Sequence, residues 1–580
     1  MSEKFPSKLL FHASIAAIAG LVAVQSAQAA PMYWDSNGAT AGAGVTPTGT
    51  WGASDFWSTS SAGTVATPAY TTTAADDINF SAGSDASGPY TVTLNGTQNA
   101  LSVQARTGQV TLTGGTLALA NVVSSASNML YSSNATALTI GSTLLVNNNT
   151  AGNNFLNFGN GSSGSGGTIT INGSVAATTN NATNKIFIRQ TYAGGTVVIN
   201  SNLGSDAGFL TGLQAAGAAI DGAAGTLTLN GAQGLGTTGL SFSAKTGTVN
   251  LGDTVNTGNA VTLGAISIGS ATANLAGATI NINSAVSSGA ITIRNGGVLN
   301  VAGSVTTSSF TVLGRGSVES FGGGTIKVQN GGAATLTTVI VRDNTVFTNA
   351  GTLTGTALTL GEATLNTSGK FAVGDATGAG TTTFTSLATA GTGTGNAIVG
   401  GNSAISTFTL NNSAPASFSG VLGGAGANEN NLALVKQGAS SLTLSGANTY
   451  TGNTTVSAGT LILADNATLN FGIAAPGVNN TIGGTGTLTL NGDFTFDLTG
   501  AAATGSWNIV NVGTLSAIFA PTFTVTGFTD AGGNTWTRVN LGSTYIFDEA
   551  TGLLTAIPEP ATWALLAFSL TTVVVLRRRR

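Results

Sequence analysis

The sequence predicts an all-β protein: an elongated parallel β-solenoid (β-helix) with capping segments, preceded by an N-terminal signal helix and followed by a C-terminal transmembrane helix. Three observations carry the solenoid. Short runs alternate strictly between aliphatic residues and Thr or Asn, as in Gln109–Thr113, Thr168–Asn172, Thr226–Asn230, Thr279–Asn283, Ala290–Ile293 and Thr487–Leu490. That is the period of a strand with one buried face. Nearly all are bounded by Gly or by Asn-Gly, as at Asn95-Gly96, Asn172-Gly173, Asn230-Gly231 and Asn491-Gly492, where a positive φ lets the chain turn sharply. The inward positions hold modest aliphatics with many Ala, and no Trp occurs between Trp57 and Trp507. A narrow coil stacked rung on rung needs only that filling, whereas sandwiches and barrels need bulkier interiors. Asn-Gly between alternating runs is also a hairpin signal, so antiparallel pairing is the competing arrangement.

Composition bounds the rest. Charged residues are 7% and hydrophobic ones 42%, with 84 Gly in 580 residues, a balance that does not fit disorder through high charge and low hydrophobicity. With no Cys there are no disulfides, so regular hydrogen bonding and burial must hold the chain together. The net charge of −4 is thinly spread, and no basic patch lies outside the last four residues. Nucleic acid is therefore not an expected partner.

Residues 1–29 read as a signal peptide. Lys4 and Lys8 form the positive region, Ile15 to Val24 the apolar region, and Ala27-Gln28-Ala29 an A-x-A cleavage site. This predicts passage through the Sec translocon and cleavage by signal peptidase. Residues 30–105 read as an N-terminal cap with the first strands. Trp34, Trp51 and Trp57 suit the cover that an open rung needs, with carbohydrate stacking as the functional alternative. Residues 106–500 form the solenoid. At about 20 to 25 residues per rung and about 4.8 Å per step they predict a rod on the order of 80 to 100 Å.

Within it, Phe418-Ser419-Gly420-Val421-Leu422-Gly423-Gly424 leads to Leu434-Val435-Lys436-Gln437-Gly438, then Leu442-Thr443-Leu444-Ser445-Gly446-Ala447-Asn448-Thr449-Tyr450-Thr451-Gly452-Asn453-Thr454-Thr455-Val456 and Gly459-Thr460-Leu461. This stretch, about 418–463, resembles the autotransporter-associated β-strand repeat, the passenger-type repeat of exported bacterial β-solenoids. Val435 and Gln437 depart from its usual small polar residues. Alternation points Leu442, Leu444, Val456 and Leu461 inward and puts Asn448 and Tyr450 at a corner, where Asn can ladder or cap turn amides. Tyr33-Trp34-Asp35, Asn37-Gly38 and Gly49-Thr50-Trp51 resemble the opening segment seen on such proteins. Residues 501–556 read as a C-terminal β cap, with Trp507, Trp536 and a hairpin through Tyr545–Leu554.

Residues 557–580 carry Pro558-Glu559-Pro560, the apolar run Ala561 to Leu576 and the cluster Arg577-Arg578-Arg579-Arg580. As a helix the run spans roughly 24 Å, short of the ~30 Å hydrocarbon core but extendable by snorkelling arginines. The arginines, a membrane-stop cluster, are expected to stay cytoplasmic. This end resembles the PEP-CTERM sorting signal. The resemblance implies cleavage near Pro558-Glu559-Pro560 by an exosortase-type processing enzyme, with transient residence in the inner membrane and then release to the surface of a Gram-negative type bacterium. The C-terminal 280 residues show no succession of membrane strands of about ten residues with aromatic girdles, so delivery is expected by this route.

Chemistry is sparse. The one His, His12, lies in the signal peptide, and there is no Cys, which leaves no imidazole or thiol for a triad, general base or zinc site. Of the close carboxylate pairs, Asp76/Asp77 and Asp548/Glu549 are neighbours and point to opposite faces of a strand. Asp493 and Asp497 share a face but sit about 13 Å apart, beyond glycosidase range. Gly483-Gly484-Thr485-Gly486 and Gly423-Gly424-Ala425-Gly426 lack the Asp of a calcium nonapeptide, and Gly234-Leu235-Gly236-Thr237-Thr238-Gly239 opens no helix. No catalytic, cofactor-binding or metal residue is assigned, and no cofactor is expected. The leading function is a non-enzymatic surface or matrix protein, adhesin-like, whose Thr and Asn faces suit extracellular polysaccharide. The alternatives are a β-helix polysaccharide lyase or hydrolase and, third, an ice-binding protein.

Overall fold

A computed structural model describes residues 30–559 apart from internal segments, the longest being 202–224, 313–323 and 269–278. The expected signal helix, with Ala27 and Ala29, lies outside the described residues. So do Pro560, the expected transmembrane helix and Arg577, Arg578, Arg579 and Arg580. Among the described residues every long regular element is a strand.

The alternating runs become coils. One turn comprises Asp76–Phe80, Pro89–Leu94 and Thr97–Ala100; the next comprises Ser102–Ala105, Gln109–Thr113 and Thr116–Leu119; a third comprises Leu130–Ser132, Ala137–Ile140 and Thr143–Val146. Each strand pairs in parallel with its counterpart one coil away, as Leu138 does with Val110 below and Ile169 above. Three faces result, and the second is a sheet of fifteen strands, from Gly49–Trp51 to Val421–Leu422. At about 4.8 Å per strand that sheet is roughly 65–70 Å long. Further along, an eighteen-stranded sheet carries the remainder of the coil. There single strands such as Ser304–Val312, Ala333–Val341 and Thr352–Gly361 pair along nearly their whole length. Parallel coils, not hairpin layers, thus account for the alternation: the Asn-Gly turns join successive faces of one coil.

The interior is a set of in-register columns. Leu138, Ile169, Val197 and Leu227 stack on successive coils, all at most 4% exposed. Burying each such side chain contributes about 1.5–3 kcal/mol. The filling is not aliphatic throughout. Phe347 and Phe371 stack on adjacent coils with centroids 5.0 Å apart, and the row continues through Phe384 to Phe408. Gly355, paired in register with Phe384, leaves the room: a Cβ there would overlap the Phe384 ring. The coil length also ranges beyond the 20 to 25 residues expected. Thr279 pairs with Val298, 19 residues on, whereas Ala137 pairs with Thr168, 31 on. Strand length is fixed by the column, and the turns between strands absorb the variation.

Both ends are covered. Ala30–Trp34 lies on Asp76–Phe80 in parallel and on Trp57–Ser58 antiparallel, bringing Trp34, Trp51, Trp57 and Phe80 into one cluster with centroids 5.2–6.2 Å apart. At the other end Gly505–Asn508, Leu553–Pro558, Ser543–Asp548, Thr535–Asn540 and Thr529–Gly532 form an antiparallel sheet, with Asp548 opposite Leu553 across the expected hairpin. Trp507 Nε1 donates to the Ala475 carbonyl and the Tyr545 hydroxyl to that of Ala502, tying the sheet to the last coils.

Candidate functional site

The repeat stretch occupies two successive coils. Leu432–Lys436 and Ser441–Leu444 belong to one, Thr454–Val456 and Thr460–Leu463 to the next, with Leu442 on Leu461 and Leu444 on Leu463. Leu442, Leu444, Val456 and Leu461 point inward, each at most 1% exposed. Gly446 is needed because a Cβ would strike the Gly420 carbonyl of the coil below, and Gly459 because its φ is +66°.

The polar residues of this stretch are spent inside. Asn448 is 1% exposed. Its Oδ1 accepts the Leu422 N–H at 3.0 Å from the preceding coil, and its Nδ2 donates to the Gly446 carbonyl at 2.9 Å and to the Thr468 carbonyl of the following coil at 3.0 Å. One amide therefore bridges three coils where the strand ladder lapses, because a buried unpaired N–H or C=O is costly. Tyr450 is buried with its hydroxyl 2.5 Å from Thr454 Oγ1, and burial pushes its ionisation up to about 12. Lys436, also fully buried, directs its ammonium at the Gly438 and Ala458 carbonyls, and burial pulls its pKa down.

The same device recurs at positions the sequence reading did not single out. Asn396 Oδ1 accepts from Gly369 N–H, and Asn412 Nδ2 donates to the Ala414 and Ser441 carbonyls. Asn349, fully buried, donates to Thr382 Oγ1. Side chains also form ladders from coil to coil: Asn172 to Asn200 to Asn230, and Asn250 to Asn281 to Asn300, at 2.7–2.9 Å. Asn172 and Asn230 were visible as Asn-Gly, and aligning strand ends would have exposed the ladder.

The acids considered for catalysis are each held by structural partners. Asp76 accepts from the Tyr70 hydroxyl and from Thr73, and Asp77 from Ser102 Oγ at 2.5 Å. Asp548 accepts the Ala550 N–H, and Glu549 the Trp536 indole N–H at 2.7 Å. Asp493 and Asp497 close opposite ends of one strand, as expected, and accept from Thr524 and Thr499. Asp497 also borders an open groove lined by Ile405, Thr451, Asn453, Val478 and Asn480; the Thr499 bonds hold its carboxyl below the usual range. Trp34, Trp51 and Trp57 are at most 1% exposed, so their rings offer no face to a sugar.

The outer surface is ordered too. Thr306, Thr335, Thr354 and Thr383 align on four successive coils, and Thr352 and Thr381 align beside them. At the far end, the cap strand Leu553–Pro558 runs directly into the motif that begins at Pro558. Glu559 N–H is anchored on the Gly542 carbonyl, while Ile557, Pro558 and Glu559 are exposed.

The family model of the passenger-associated transport repeat matches residues 434–463, the two coils bridged by Asn448. No curated protein and no solved structure matches the chain. The chain thus carries a passenger-type repeat set into a parallel β-solenoid, and such repeats belong to exported passenger domains.

Proposed function

We propose that the protein is an exported, non-enzymatic rod of the cell surface or extracellular matrix, adhesin-like in its use of a repetitive polar face toward polysaccharide. The observation that carries this reading is the division of labour in the repeat coils. Asn448 and Lys436 are consumed in bonds between coils and Tyr450 in a buried local bond, while Thr columns face outward. Such a surface meets a long polymer through many weak hydrogen bonds rather than through one pocket.

In this reading Pro558-Glu559-Pro560 is the sorting and cleavage motif, recognised by an exosortase-type enzyme after Sec export and removal of residues 1–29 by signal peptidase. The following helix, stopped by Arg577–Arg580, holds the chain in the inner membrane until then. Exposure of Pro558 and Glu559 at the end of an anchored cap strand supports access by a processing enzyme. Fractionation of cells expressing wild type and Pro558→Ala/Glu559→Ala/Pro560→Ala tests it. The variant accumulates uncleaved in the inner membrane; equal release of both sinks the sorting proposal.

A second reading rests on the Thr columns themselves. Neighbouring columns two residues apart repeat at about 4.8 by 6.8 Å, a flat array suited to ordered water. A thermal-hysteresis assay on purified protein decides it, and freezing behaviour equal to that of an albumin control removes it.

A further inference from the structure

The loop that leaves the first strand, Asp35-Ser36-Asn37-Gly38-Ala39-Thr40-Ala41-Gly42, gathers oxygen atoms without cations to balance them. Asp35 is 1% exposed. Its Oδ1 accepts the Asn37 N–H at 3.0 Å, while its Oδ2 accepts no hydrogen bond. One terminal atom of the Asn37 amide sits 2.7 Å from Asp35 Oδ1 and 2.9 Å from each of the Gly42 and Thr40 carbonyl oxygens. With nitrogen in that place, two N–H groups serve three acceptors and the amide oxygen accepts the Gly44 N–H at 3.3 Å, which still leaves the second Asp35 oxygen over.

A second carboxylate closes the loop. Asp85 accepts the Ala43 and Gly44 N–H groups, both at 2.9 Å, and lies against Gly42 so closely that a Cβ there would overlap it. Burial, with the Asp85 charge adding to it, lifts the Asp35 carboxyl above its usual range. Among the described residues neither Asp35 nor Asp85 has a Lys or Arg partner. A buried carboxylate without a counter-charge is costly, and the Thr40 and Gly42 carbonyls add hard oxygens to the same loop.

We propose that this loop binds a calcium ion, with Asp35, the Asn37 side-chain oxygen and the Thr40 and Gly42 carbonyls as its protein ligands. Carboxylate, amide and main-chain oxygens on a short Gly-containing loop are the donor set that Ca²⁺ takes, and water completes its shell. The Asn37 amide turns over on binding: its oxygen takes the place of the nitrogen beside the Asp35, Thr40 and Gly42 oxygens, and the ion replaces the lost N–H bonds in holding the four together. Asp85 positions the loop through its two N–H bonds. The consequence is structural, because the same loop continues from the strand that carries Trp34 and so locks the aromatic cover onto the first coil.

The test uses the purified, exported form of the chain after EDTA treatment, titrated with CaCl₂ or MgCl₂, with melting temperature and Tb³⁺ luminescence excited through Trp as readouts. Wild type melts higher as Ca²⁺ rises to the order of 0.1–1 mM, the range of extracellular modules, while equal Mg²⁺ has little effect. Tb³⁺ emission, sensitised by Trp34 next to Asp35, is displaced by Ca²⁺. Asp35→Asn loses both responses. Asn37→Asp separates this from a purely structural loop: it loses the N–H donors and melts low without Ca²⁺, yet recovers to wild-type melting or above with it. Failure of Asn37→Asp to recover, or wild type with neither a Ca²⁺-dependent melting shift nor displaceable Tb³⁺ emission, overturns the site.

Discussion

Lys370 and Glu429 meet at 2.6 Å across 59 residues of chain. Lys370 pairs in register with Ala397 and Ala397 with Val421, so the ammonium reaches past one whole coil to the loop that leaves the second. Lys327 does the same with Asp375, also at 2.6 Å. These bonds clamp coils that share no ladder.

The Glu429 clamp gives a signed pH dependence. Burial alone would raise its carboxyl, but the Lys370 bond and the Gly426 N–H outweigh that and hold it below the usual range. Its stabilisation is therefore complete above the unfolded carboxylate value of about 4.3 and is lost as pH falls through the lower folded value. Because both side chains are partly exposed, Glu429→Gln costs only about 0.2–1 kcal/mol at neutral pH. Hydrogen exchange in residues 423–431 should rise in wild type between pH 5 and pH 3 but stay nearly flat in the variant.

Asn448→Ala should loosen the repeat at its polar corner. It strands the Leu422 N–H, at about 1–3 kcal/mol for an unsatisfied buried group, while the Thr468 carbonyl keeps the main-chain N–H of residue 448. Since ladder pairing joins each coil only to its neighbours, loss of exchange protection should centre on residues 420–424 and leave the N-terminal coils unchanged.

Gly355→Ala tests the aromatic row. Its methyl competes with the Phe384 ring for one space, an overpacking cost of about 1–3 kcal/mol. Pairing it with Phe384→Leu should recover part of that loss in chemical denaturation. Two independent, additive losses would show that the glycine has another role.

Lys436→Met removes a buried ammonium. Burial depresses the folded pKa of Lys436, so the folded charged form is penalised. In wild type this local penalty lifts as pH rises from the folded value toward the unfolded value of about 10.4. Local exchange protection around residues 434–438, corrected for intrinsic rate, should increase with pH below 10 in wild type and not in Lys436→Met.

Strands were the most legible part of the sequence, because alternation such as Thr168–Ile171 states directly which residues face inward. Asn448 was legible for a similar reason, since its neighbours fixed a corner. What could not be read depends on register between coils. Phe384 meets Gly355, Lys370 meets Glu429 and Asp85 meets the Asp35 loop only after every intervening turn has been given its length. Those turns make coils of 19 residues in one place and 31 in another, so no fixed period in the text reveals the partners.

That unevenness works like the wards of a key. In a uniform stack, a growing end could shift one step and still find equivalent neighbours. Here a one-step shift would set the Phe384 ring over Leu336, which pairs with Gly355 in the native alignment, and would leave Glu429 without its lysine. Misalignment is thereby penalised at many positions at once, and a long, monotonous-looking chain acquires a single way to thread itself.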